Sequence, residues 1–190
     1  MSSTNAPFGL RPAFHPTGLD RAVALAGGIA SGYSTDILKN QPVALNSSGV
    51  LIVATAGSAY QGAFAGVEWT DTTGRRRISN YWPASTAYQT GSCIAYYYSD
   101  PNIVYEIQAD GSLAQTSIGD QANFTNVSSG STTTGLSQCT ISTSLAGTSA
   151  VGDMRIINLA PAVDNAWGDA YTVVQVQVSR SQYVATINAI

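Results

Sequence analysis

The side chains that do chemistry are scarce in this chain. Only 10% of its 190 residues are charged, against about 25% in an ordinary soluble domain. There is one histidine, His15, and one lysine, Lys39. Acid–base, nucleophilic and metal chemistry draw on His, Lys, Cys, Asp and Glu. Each constellation that approaches such chemistry falls short. Asp71-Thr72-Thr73-Gly74 approaches the Asp-Thr-Gly of aspartic proteases with one residue too many, and no second copy supplies the carboxylate that would share the proton. It reads as a hairpin turn. Gly27 and Gly32 stand at P-loop spacing, but Tyr33 follows where the phosphate-binding lysine belongs. There is no Gly-x-Ser-x-Gly elbow. No Cys/His spacing makes a zinc site, and single, scattered acidic residues make no calcium loop. His15 sits between Phe14 and Pro16 with no neighbour set to serve as its nucleophile. It reads as a hydrogen-bonded interface histidine. No enzyme activity and no cofactor are expected.

Two groups of residues suit binding instead. Arg75-Arg76-Arg77 is the one run of charge. It suits a phosphate or a neighbour's carboxylates, or else a solvated hairpin tip offset by Glu68 and Asp71. The aromatics Trp69, Tyr81, Trp82 and Tyr88 lie around the same hairpin, and Tyr96-Tyr97-Tyr98 must alternate between faces if they form a strand. Exposed Trp and Tyr either stack on sugars or anchor protein interfaces. Core packing claims at least half of them. Cys93 and Cys139 are too few for a disulfide scaffold and are expected as buried free thiols.

These residues need elements to position them. Residues 1–33 differ from the rest. Pro7, Pro12 and Pro16 hold the segment extended, while Phe8, Leu10, Phe14 and Leu19 are large and apolar. This is the pattern of an arm lying on a surface, its own or a neighbour's. Phe8, Leu10 and Phe14 are its expected anchors, with Arg11 as a bidentate partner for carboxylates. Ala22–Gly32 offers the start of a short helix, cut off by its glycines.

Residues 34–190 read as one β-domain. Short candidate strands alternate with turn chemistry: Pro42–Leu45, Val50–Ala54, Tyr60–Glu68, Arg77–Trp82, Cys93–Tyr98, Ile103–Gln108, Gln138–Thr143, Met154–Leu159 and Val173–Ser179. In the last of these Val174, Val176 and Val178 take one face, and Gln175, Gln177 and Ser179 the other, as in a half-buried antiparallel strand. Strand starts at Gly91-Ser92, Gly119-Asp120 and Gly152-Asp153 look alike but are unevenly spaced, so no repeat is read. Thr125–Gly135 is polar, low in complexity and expected as an exposed loop. The expected architecture is all-β: an antiparallel sandwich or barrel of short strands with an extended N-terminal arm.

A net charge of −3 argues against nucleic acid as the main partner. Met1–Leu10 lacks the basic and apolar regions of a secretory signal, and no apolar run approaches a membrane span. The three Asn-x-Ser/Thr sequons, at Asn46, Asn123 and Asn126, are therefore not expected to be glycosylated.

Four stretches carry a resemblance: APFGLRPAFHPTGLDRA, FAGVEWTDTTGRRRISNYWPAST, GSCIAYYYSDPNIVYEIQADGSLAQTSIGDQANF and VDNAWGDAYTVVQV. Together they resemble a family of small tailed-phage proteins usually encoded close to the major capsid protein. The resemblance implies a virion component of the head-decoration or cement type, made in the host cytoplasm and placed on the capsid surface. Its partner would be the major capsid protein, and its copies would associate as dimers or trimers around a symmetry axis. It implies no catalytic residue. The alternative is a carbohydrate- or receptor-binding virion module using Trp69, Trp82 and the tyrosines.

Overall fold

The computed structural model describes residues 2–18 and 21–184. Leu19, one of the apolar residues expected on the arm, lies outside them. The fold is nearly all β, with antiparallel sheets.

In chain order the strands are β1 (Arg11–Phe14), β2 (Val23–Ala26), β3 (Pro42–Leu45), β4 (Leu51–Val53), β5 (Gly62–Thr70), β6 (Arg76–Ser79) and β7 (Ile94–Tyr97). There follow β8 (Val104–Gln108), β9 (Gln121–Thr125), β10 (Gly130–Ser131), β11 (Leu136–Ser137), β12 (Thr140–Leu145), β13 (Met154–Leu159) and β14 (Val173–Val178). One sheet runs β1-β8-β14-β13-β9-β12. The other runs β2-β7-β5-β3-β4, with β6 also paired to β5, and β10 and β11 form a small separate hairpin.

The turns are where short polar residues replace the ladder. At Asn46–Gly49 the Asn46 Oδ1 accepts the Ser48 amide at 2.9 Å, and Gly49 supplies a φ of +74°. At Asp100–Asn102 the Asp100 Oδ1 accepts the Asn102 amide at 2.8 Å.

The alternation of side chains along β3 and β5 explains how two cores coexist. Val43 and Phe64 enter one hydrophobic cluster, with Trp69, Trp82, Ile29 and Ile37. Their neighbours Ala44 and Ala63 point the other way. They enter a second cluster with Tyr105, Ile107, Phe124, Ile141, Met154, Ile156, Val174 and Val176 from the first sheet. The two sheets thus face each other across this second cluster, with small alanines on one side accommodating large residues on the other. Each fully buried Ile, Val or Phe is worth roughly 1.5–3 kcal/mol of transfer free energy, so these clusters dominate the favourable side of folding.

Several expectations meet the structure here. In β14, Val174, Val176 and Val178 are buried as read, whereas Ser179, assigned to the outer face, is buried too. Ala22–Gly32 does not begin a helix. Val23–Ala26 is a strand held by β7, with Val23 opposite Tyr97 and Ala26 opposite Ile94. Thr125–Gly135 is not simply an exposed loop. It carries β10, which pairs with β11, and the Lys39 amide donates to the Gly135 carbonyl at 2.8 Å.

The N-terminal segment is likewise part of the fold. β1 pairs antiparallel with β8, placing Arg11 opposite Glu106 and Phe14 opposite Val104. The Leu10 amide donates to the Asn40 carbonyl at 2.7 Å, and Gln108 bonds the backbone of Thr4 and Ala6, both at 3.0 Å. Gly9 makes this docking possible. Its φ is +75°, and a Cβ there would stand 2.5 Å from the Asn40 carbonyl oxygen. The arm lies on its own domain.

Candidate interface site

The arm residues divide by exposure. Leu10, expected as an anchor for a neighbour, is fully buried in the chain's own core. It is removed from the candidate interface, because its apolar surface is already spent on folding. Phe14 is 46% exposed, and Phe8 is half-buried. Arg11 bridges to Glu106 at 2.5 Å and lies 4.5 Å from the centre of the Phe8 ring. The pair is solvent-facing and contributes at most about 1 kcal/mol, and it sets guanidinium and ring side by side as one aromatic–cationic unit.

His15 is a stitch between segments. Its Nε2 lies 3.2 Å from the Asp100 Oδ2. Its Nδ1 accepts the Thr17 amide at 3.1 Å, which leaves the ring proton to Nε2, yet Nε2 is buried and makes no hydrogen bond among the described residues. The Thr17 hydroxyl also lies 2.7 Å from Nδ1. A hydroxyl does therefore approach this histidine, contrary to the reading from sequence. The order hydroxyl, imidazole, carboxylate is that of a nucleophile, base and orienting group. Here, however, the Nδ1 lone pair is shared with an amide two residues away, inside a turn closed by the Gly18 amide on the His15 carbonyl at 2.8 Å. The contact is that of a local turn.

The tryptophans leave the expected aromatic platform, while Tyr81, Tyr88, Tyr96 and Tyr98 stay half-buried. Trp82 is fully buried and Trp69 is 8% exposed. They meet edge to face at 5.5 Å, and Trp82 meets Tyr88 the same way at 5.9 Å. Both are corrected from interface to core. Tyr88 is anchored through its hydroxyl to the Ile29 carbonyl at 2.6 Å. The reason lies in β5: an irregularity between Phe64 and Gly66 resets the alternation, so Phe64, Val67 and Trp69 all enter the same cluster.

The arginine run is a hairpin tip. Asp71 closes the turn, its Oδ1 accepting the amides of Thr73 and Arg75 at 2.9 and 3.0 Å. The Thr73 hydroxyl, those amides and Arg77 together hold its carboxyl well below the usual range. Arg77 bridges to Asp71 at 2.9 Å and Arg76 to Glu68 at 2.6 Å. Two of the three charges are thus neutralised within the hairpin, while Arg75 is exposed. Beside them Ile78 is 77% exposed.

Cys93 and Cys139 are free and buried, and burial pushes both thiols up, Cys139 furthest. Neither is poised as a nucleophile. Among the described residues no cluster of His, Cys, Asp and Glu could hold a metal ion, and no helix is long and apolar enough to cross a membrane.

A feature that the sequence did not reveal lies beside the arm. Phe8, Arg11, Pro12, Lys39, Asn40, Tyr98 and Leu136 surround a cleft of about 390 Å³. They come from four separate stretches of chain. Lys39 reaches it because Lys39 and Leu136 form a parallel β-bridge, with the Ser137 amide donating to the Lys39 carbonyl at 3.0 Å. Compared with protein-family models, curated proteins and solved structures, the chain matches none.

Proposed function

We propose that this chain is a decoration protein of a tailed-phage head, binding the major capsid protein on the assembled shell as a dimer or trimer. The observation that carries the reading is the N-terminal face. Phe8 and Arg11 stand together, Phe14 is half-exposed at a sheet edge, and His15 lies beside Asp100. Aromatic and arginine side chains held rigidly are the anchors that protein interfaces use. The arm does not reach out to a neighbour. It adds a strand to the edge of its own sheet and presents its outer side chains from a fixed backbone, which lowers the entropy lost on docking.

Burying the exposed half of Phe14 is worth only roughly 1 kcal/mol by transfer arithmetic. One face is therefore a weak site, and several copies joined in an oligomer convert weak sites into firm attachment. A ligand that binds only the assembled shell stabilises it by mass action. The sugar-binding alternative loses Trp69 and Trp82 to the core and keeps only half-buried tyrosines, Tyr81, Tyr88, Tyr96 and Tyr98.

The experiment is to add the purified chain to undecorated heads. Saturable occupancy and a higher temperature of head disruption are expected. Failure of the folded chain to bind heads would refute the reading.

A further inference from the structure

We infer that the cleft between Phe8, Lys39 and Leu136 receives an extended segment of the capsid protein that carries a carboxylate beside a large apolar side chain. This deepens the head-binding reading and rests on it.

The cleft has two chemical halves. Phe8, Pro12, Tyr98 and Leu136 give it an apolar and aromatic lining, and Leu136 is 37% exposed. Arg11 and Lys39 give it two cations, and no carboxylate among the described residues lines it. Arg11 is already bridged to Glu106. Lys39 makes no ion pair among the described residues. The only lysine of a chain with net charge −3 therefore stands with its charge unanswered at the mouth of an apolar cleft. That juxtaposition is complementary to an acidic side chain flanked by an apolar one.

The walls are set before anything binds. Three backbone bonds hold them: Leu10 to Asn40 at 2.7 Å, Lys39 to Gly135 at 2.8 Å and Ser137 to Lys39 at 3.0 Å. A volume of about 390 Å³ accommodates a few side chains, not a folded domain. Recognition through side chains is favoured over strand addition. Pro12 lacks an amide hydrogen, and β1 carries an irregularity between Pro12 and Phe14, so this edge is a poor template for a further strand. Nucleic acid is a poor fit, because two cations around an apolar lining are not a phosphate track.

The test uses the full chain and undecorated heads. Lys39→Glu should weaken binding about tenfold at low salt, with the loss shrinking as salt is raised. Lys39→Arg should bind as the wild type does. Leu136→Asp should weaken binding about tenfold or more at every salt concentration. Val163→Asp, at a fully exposed position outside the cleft, is the control and should bind normally. Thermal unfolding of all four variants should match the wild type, which separates a lost contact from a lost fold. Wild-type binding by folded Lys39→Glu and Leu136→Asp would overturn the cleft and leave the head-binding reading standing. An equal loss in Val163→Asp would also overturn it. A wild-type chain that does not bind heads would sink the head-binding reading itself, and the cleft assignment with it.

Discussion

The amide of Leu10 donates to the carbonyl of Asn40 at 2.7 Å, with the Leu10 side chain fully buried behind it. That bond joins the N-terminal segment to the stretch carrying Lys39. It makes the first residues of the chain a part of the core and a wall of the cleft at once.

The consequence is a separation between Leu10 and Phe14. Leu10→Ala should cost about 2–5 kcal/mol, as large-to-small changes in a core do. Phe14→Ala, at a half-exposed edge, should cost much less and act on head binding instead. Gly9→Ala should also destabilise, because its φ of +75° and the nearby Asn40 carbonyl leave no room for a Cβ. Denaturant midpoints check all three. Removing residues 1–18 should unfold the domain rather than release an intact β-body without its arm.

Asp153 is a fully buried carboxyl just ahead of β13. Its carboxylate accepts the amides of Gly57 and Phe124 at 3.0 Å, and the Arg180 Nε lies 3.8 Å away. Burial nonetheless pushes its pKa up, outweighing the opposing pull of those amides and of Arg180. A raised carboxyl contributes stability that is fully present below its unfolded value, about 3.9, and is lost as pH rises through the folded value. Stability measured from pH 3 to 7 should therefore carry a falling component that Asp153→Asn removes. Asp153→Ala should be severe, at about 1–3 kcal/mol for each buried donor left without an acceptor.

Asp71 has the opposite sign. Its carboxyl is held far below the usual range by Thr73, Arg75 and Arg77. Its contribution is present above the ordinary carboxylate pKa and is lost only as pH falls through the depressed folded value. The Thr73 and Arg75 amides should stay protected from hydrogen exchange at mildly acidic pH. Asp71→Ala should expose both amides and loosen the β5–β6 hairpin, while the core melts near its usual temperature.

Trp82 should tolerate phenylalanine better than alanine. Its ring packs between Trp69 and Tyr88, but its buried indole N–H has no acceptor among the described residues. Trp82→Phe keeps most of the packing and removes a stranded donor. Trp82→Ala opens a cavity and should cost about 3–5 kcal/mol. Chemical denaturation distinguishes the two, and tryptophan emission shielded from a polar quencher checks that the aromatic cluster is dry.

What the sequence determined by itself was the class of fold and the strands that alternate. Met154–Leu159 coincides with the strand observed, and Val173–Ser179 and Ile103–Gln108 come within a residue of theirs: the period of two in Val173–Ser179 is set by side-chain burial, and turn residues bound the other two. The turns at Asn46–Gly49, Asp71–Gly74 and Asp100–Asn102 were legible too, since Asn, Asp and Gly supply their hydrogen bonds and dihedral angles locally. Strands held by their partners were not. Arg11–Phe14 contains a proline, Val23–Ala26 is a short apolar run on an edge, and Gly130–Ser131 is polar. The first two are fixed by backbone pairing with distant residues and the third by a local hairpin with Leu136–Ser137, and neither leaves a trace in side-chain pattern. The site divided along the same line. Residue types told that Phe8, Leu10, Phe14, Trp69 and Trp82 need burial or a partner, but only tertiary packing decided which. Leu10, Trp69 and Trp82 were spent on the core, Phe14 was left half in water, and Lys39 met Leu136 across 96 intervening positions of sequence. Burial is a property of what lies opposite a side chain, and what lies opposite comes from elsewhere in the chain.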